Sequence, residues 1–180
     1  THAAGLVEMA IEPGIDGEED TETYYVTRCY KAENKRPFEL YEATRHWEAE
    51  QWHWPHDGEG REKSSGVALK ESFSDVGFPM WHEHAHMLEK FPNNRTLEPS
   101  IFKINNLIAA GRFKVFSNCA PLLEEMREFH RDEKGQIVKA KDDAICAMRY
   151  AFMMARHLEP KKISAKRKAY QRSPLASRNW

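Results

Sequence analysis

Two strand-like runs near the start of the chain do most to limit its fold. Residues 5–11 and 23–30 are rich in Val, Ile, Tyr and Thr, which suit a pleated surface. Between them lies Glu12-Pro13-Gly14-Ile15-Asp16-Gly17-Glu18-Glu19-Asp20, a turn-forming stretch too acidic to bury. The spacing predicts an antiparallel hairpin with a long, solvated tip. Beyond it, helical and strand patterns alternate. Residues 37–50 carry Pro37 in a first turn and Leu40, Tyr41, Thr44 and Trp47 on one face. A short aromatic strand ends at Asp57, residues 58–66 read as a loop, and Val67 to Val76 has helical spacing before Gly77. Phe78-Pro79-Met80-Trp81 reads as a strand, and residues 99–110 as a helix carrying Ile101, Ile104, Leu107 and Ile108. Arg112 to Phe116 alternates like a half-buried strand, and Leu122, Leu123, Met126 and Phe129 mark a helix over 119–130. Asp132 to Gln136 forms a turn about Gly135, and a closing amphipathic helix runs from Asp142 to His157. A hairpin followed by this alternation predicts an α/β sandwich with a mixed sheet flanked by helices.

Length and composition narrow the class further. A chain of 180 residues suits one domain, or one domain with a tail. No apolar run approaches the ~20 residues needed to cross a bilayer, so no membrane partner is expected. The first residues lack the basic-then-apolar form of a signal peptide. Cys29, Cys119 and Cys146 are far apart, with no CxxC spacing, which argues against a disulfide framework and for a reducing cytoplasm. The net charge of −1 hides an asymmetry. Residues 1–50 carry twelve acids against five bases, whereas from Pro160 onward there are seven bases and no acid. The expected division is a body over 1–158 and a basic tail over 159–180. A tail of that composition is either solvated or contacts phosphates or an acidic partner.

Chemistry concentrates on carboxylates. In Trp52-His53-Trp54-Pro55-His56-Asp57-Gly58 an apolar-aromatic stretch stops at an acid, as when a strand delivers a carboxylate to the mouth of a sheet. Lys141-Asp142-Asp143 supplies a second acidic point at the start of the closing helix. Asp142 suits a helix cap, which needs only one residue. Asp143 is then left free to reach inward, where the helix dipole tolerates its charge. Paired carboxylates of this kind suit a hard divalent cation such as Mg²⁺ or Mn²⁺. His82, His84 and His86 would share a face of a strand and offer a zinc arrangement, although no cysteine completes the set. His53 and His56 flank Asp57, either to orient a ligand or simply to pack. Cys146 falls on an apolar helix face, the usual place of an inert buried thiol. The chain contains no GxxxxGK[ST], GxSxG or GxGxxG, so it holds no nucleotide-hydrolysing motor of that kind.

These motifs together resemble the nuclease domain of the large terminase subunits of headful-packaging tailed phages. The resemblance is carried by Trp54-Pro55-His56-Asp57-Gly58, by Gly111 to Phe116, by Glu124-Glu125-Met126 and by Arg131-Asp132-Glu133-Lys134-Gly135. Lys141-Asp142-Asp143-Ala144 with Ala147-Met148-Arg149-Tyr150 is similar to the family's closing helix, and the likeness spans about residues 1–158. It implies an RNase H-like fold and an endonuclease that cuts concatemeric double-stranded DNA during genome packaging in the host cytoplasm. It implies a Mg²⁺ or Mn²⁺ pair roughly 3.5–4 Å apart. The ligands carried over are Asp57, as the acid of a central strand, and Asp143 with Asp142 at the closing helix. The implied partners are DNA, the portal protein and the small terminase subunit. The tail bases Lys161, Lys162, Lys166, Arg167, Lys168 and Arg172 would contact portal or DNA. The chain departs from the family in two places. The family's first aspartate lies on an opening strand, and Thr1 to Gly5 resembles the stretch just after that strand, so this acid is expected before Thr1. Asp16 is similar in local sequence but falls in the hairpin turn. Cys146 stands where many relatives carry an aspartate, which shifts weight onto Asp143. The alternatives are an RNase H-like module that binds DNA or portal without cutting, and a zinc-binding adaptor.

Overall fold

A computed structural model describes residues 3–14, 21–60, 66–91, 96–138 and 140–158. The hairpin forms as expected, from β1 (Ala3–Glu12) and β2 (Thr23–Glu33) paired antiparallel. β3 (Phe113–Val115) adds to β2 in parallel, so the described residues build a mixed three-stranded sheet in the order β1-β2-β3. The helices are α1 (Pro37–Thr44), α2 (Leu69–Asp75), α3 (Leu97–Ala109), α4 (Ala120–Glu128) and α5 (Asp143–Met154). Short 3-10 turns lie at Arg45–Trp47, His56–Glu59 and Ala155–His157. None of the described helices is long and apolar enough to cross a membrane.

Strand alternation sorts the core into two layers, because successive side chains point to opposite faces. Val7 and Met9 of β1 pack with Ile101, Ile104, Leu122, Ile145 and Met148 from α3, α4 and α5. Ala4 and Leu6 pack on the other face with Leu40, Trp47 and Phe78. β2 changes parity partway along, since Tyr24 and Val26 face the first layer but so does Cys29, while Tyr30 faces the second. The cause is a bulge. Glu8 pairs with Arg28 and Met9 with Val26, which leaves Thr27 as an extra residue between them. From Arg28 onward the bulge exchanges the faces of β2 and sends Lys31 toward α4 and α5.

Two expected strands are reduced to a single bridge, Trp52 with Met80 in parallel. Asp57 is therefore not on a central strand; it lies in the 3-10 turn that comes after Pro55. Proline removes a ladder donor, and Gly58 N–H closes the turn on Pro55 O at 2.9 Å. Gly58 also lies against the Trp54 ring, where a Cβ would come within 2.7 Å of Cε3. The Asp132–Gln136 turn is present. Asp132 Oδ1 accepts the N–H groups of Lys134 and Gln136 at 2.9 and 2.8 Å.

Candidate active site

A cavity of about 1100 Å³ runs along β1, from Ala3 to Ile11, and faces the extended segment Gln51–Pro55. Asp57 stands at its wall, as do Asp143, Cys146, Ala147, Tyr150 and Ala151. That spacing is one stripe of α5, while Ala144, Ile145 and Met148 on the adjoining face enter the core. The helix thus buries one side and turns an acid toward open space with the other. Asp57 and Asp143 share this cavity, and Asp142 does not line it. The two acids are 86 positions apart in sequence, and the fold sets both on the wall of this cavity. Burial raises the pKa of the Tyr150 phenol.

The start of α5 is held by residues to which the sequence motifs assign no function. Asp142 occupies the N-cap position, but its side chain makes no capping bond. Its Oδ2 instead accepts the Cys146 thiol at 3.5 Å. The capping role falls to Glu125 of α4, whose Oε2 accepts Ile145 N–H at 2.9 Å. Glu125 is 6% exposed, and its Oε1 holds Lys31 Nζ at 2.6 Å. Lys31 Nζ also lies 3.1 Å from Asp143 Oδ2. Burial works against the Lys31 charge, but hydrogen bonds to Glu125 and Asp143 outweigh it and raise the lysine pKa. The register places Gly5 opposite Lys31. A Cβ at Gly5 would meet Asp143 O at 2.5 Å and Ala144 N at 2.7 Å, so glycine is what lets the first turn of α5 sit on the sheet. The sequence signal for Lys31 is a charge on the inward face of a strand, which only the bulge at Thr27 makes visible.

The remaining candidates separate clearly. Burial pushes the Cys146 thiol up to about 11, with Asp142 adding to the effect, so it stays protonated near neutrality. His82, His84 and His86 lie in irregular chain rather than on a strand. Arg156 Nη2 stands 2.9 Å from His86 Nε2, and a guanidinium there opposes a metal ion. Among the described residues no three of His, Cys, Asp and Glu group as a metal set, which holds for His82, His84 and His86 and equally for Asp57, Asp142 and Asp143. His53 is a packing residue. Both its ring nitrogens are buried with no hydrogen-bond partner among the described residues, and burial lowers its pKa to about 4. Asp16 and the tail residues Lys161, Lys162, Lys166, Arg167, Lys168 and Arg172 lie outside the described residues.

Comparison with known proteins decides what kind of fold carries this cavity. Residues 4–155 match the family model described as the terminase RNaseH-like domain. The chain belongs to that family. It is 38% identical over 141 residues to the large terminase subunit of Salmonella phage P22 and 38% identical over 139 residues to that of Enterobacteria phage LP7. These alignments take in 77% and 76% of the chain but 28% of each relative, so the chain spans just over a quarter of their length. The solved nuclease domain of the P22 large terminase superposes with a TM-score of 0.66 at 34% identity, covering 86% of this chain and 82% of that one. The RNase H-like fold implied by the motifs is therefore the fold of this terminase domain. Within it the motif arginine Arg149 is structural. It is 4% exposed and donates from Nε to Ser100 Oγ at 2.7 Å, tying α5 to α3. Arg131 is structural too, since both its terminal nitrogens reach Glu98 of α3, at 2.8 and 2.6 Å.

In kind, the donors suit a hard cation. Mg²⁺ usually keeps several waters and is held by one or two carboxylates together with substrate phosphates. Asp57 and Asp143 are two carboxylates on the wall of one cavity.

Proposed function

We propose that this domain is a Mg²⁺- or Mn²⁺-dependent endonuclease that cuts concatemeric double-stranded phage DNA during packaging. One observation carries the reading: a chain of the terminase RNaseH-like family turns Asp57 and Asp143 into a single cavity. These two residues are the proposed cation ligands, while Asp142 accepts the Cys146 thiol. A bound cation pair would activate water for attack on the phosphodiester and stabilise the leaving 3′ oxygen. The protein's own part is to hold the two carboxylates on the cavity wall.

β1 is the edge of the described sheet, and residue after residue of it lines the space.

The partners proposed are DNA, the portal and the small terminase subunit, in the host cytoplasm. The tail bases from Lys161 to Arg172 are the proposed portal contact. Deleting residues 160–180 is expected to abolish portal binding while sparing DNA cleavage. Full-length protein carrying Asp57→Asn or Asp143→Asn is expected to lose at least about a hundredfold in Mn²⁺-dependent plasmid cleavage. Wild-type cleavage by either variant would overturn the assignment.

A further inference from the structure

We propose that Lys31 is a positioning residue for Asp143, holding that carboxylate so that its second oxygen is offered to a cation in the cavity. The inference rests on the reading of Asp143 as a metal ligand and adds the group that orients it. A lysine ammonium ordinarily swings on a flexible four-carbon stem. Here it is anchored, because Glu125 Oε1 holds it at 2.6 Å while Oε2 is fixed on Ile145 N–H at 2.9 Å. Lys31 Nζ then engages Asp143 Oδ2 at 3.1 Å, and Oδ1 makes no hydrogen bond to a described residue. The Asp143 side chain remains 33% exposed, on a helix stripe that lines the cavity.

Charge balance explains why a lysine is tolerated beside a ligand. Lys31 and Asp143 alone would form a neutral pair with little pull on a cation. Glu125 restores a net charge of −1 to the trio, and Asp57 adds another −1 across the cavity. Glu125 is also buried, so its contact draws the ammonium toward the protein interior. Partners that orient a metal-binding side chain typically contribute about 10–100-fold in metal affinity.

The test is Mn²⁺ binding to the full-length protein without DNA, read from the free-ion electron paramagnetic resonance signal. Lys31→Met is expected to raise the Kd about tenfold, and Lys31→Arg to stay within about twofold of wild type. Glu125→Gln, which keeps the shape but weakens the anchor, is expected to fall between them. DNA binding measured in metal-free buffer should be the same in all, which separates lost orientation from general damage. An unchanged or lower Kd in Lys31→Met would overturn the proposal. Should that variant fail to fold, an equal Kd in Lys31→Arg and Glu125→Gln would overturn it instead. Asp143→Asn is the control. Undiminished Mn²⁺ binding there defeats the ligand assignment itself, whereas its loss with an unchanged Lys31→Met defeats only the positioning role.

Discussion

The two walls of the cavity are built on different terms. Asp143 stands on the first turn of α5, fixed by Gly5 beneath it, Lys31 beside it and Glu125 behind it. Asp57 is exposed and stands on a 3-10 turn closed by two local backbone bonds, Gly58 N–H to Pro55 O and Gly60 N–H to Asp57 O, at 2.9 and 2.8 Å. Packing of Gly58 against Trp54 ties that turn inward. One acid is thus set by the core, and the other by a few residues of local chain. The difference shows that the site is anchored from the helix side and completed from the turn side.

The largest effect should come from removing the anchor. Glu125→Ala leaves a buried helix N–H without its acceptor and a partly buried ammonium with Asp143 as its remaining ion-pair partner, and breaking a buried ion pair costs about 3–5 kcal/mol. Urea denaturation should show a loss of about 3 kcal/mol, and a loss below about 1 kcal/mol would mean the helix side is not braced. Gly5→Ala comes next, at about 2 kcal/mol, because its new methyl meets backbone that cannot swing aside. The matching change on the turn side, Gly58→Ala, meets an indole ring 2.7 Å away that can tilt, so about 1 kcal/mol is expected. Equal effects at the two glycines would erase the contrast. Acid should act through His53, beside the turn-side segment. Its folded pKa of about 4 lies below the ordinary 6.5, so the unfolded chain binds the proton more readily. Stability is then full above pH 6.5 and falls as pH drops from 6.5 toward 4, a slope that His53→Phe should flatten in thermal melts. The smallest effect is expected at Asp142→Ala. With no capping bond to lose, it should shift stability by less than about 0.5 kcal/mol, where a working cap would cost ~1.

The sequence carried the hairpin, five helices and the closing amphipathic stripe because each is a local pattern with a fixed period. It misplaced Asp57 on a strand because Trp52-His53-Trp54 has strand composition. In the fold, one bridge from Trp52 to Met80 is all the pairing that forms there among the described residues. The brace at Asp143 was hidden for a different reason. Lys31 and Glu125 are 94 residues apart, and their meeting depends on the bulge at Thr27, which no periodicity announces. Asp142 takes the N-cap position that its place in the chain suggests, yet the bond itself comes from Glu125. That is a buried acid, which a survey of surface carboxylates would pass over.

The functional reading stands on Asp57 and Asp143 holding divalent cations together in one cavity. Crystals of the full-length protein soaked in Mn²⁺ and measured at the manganese absorption edge put that to the test. Anomalous density is expected in the cavity, within bonding distance of both carboxylates. Density bound to only one of them, or none in the cavity at saturating Mn²⁺, would contradict it.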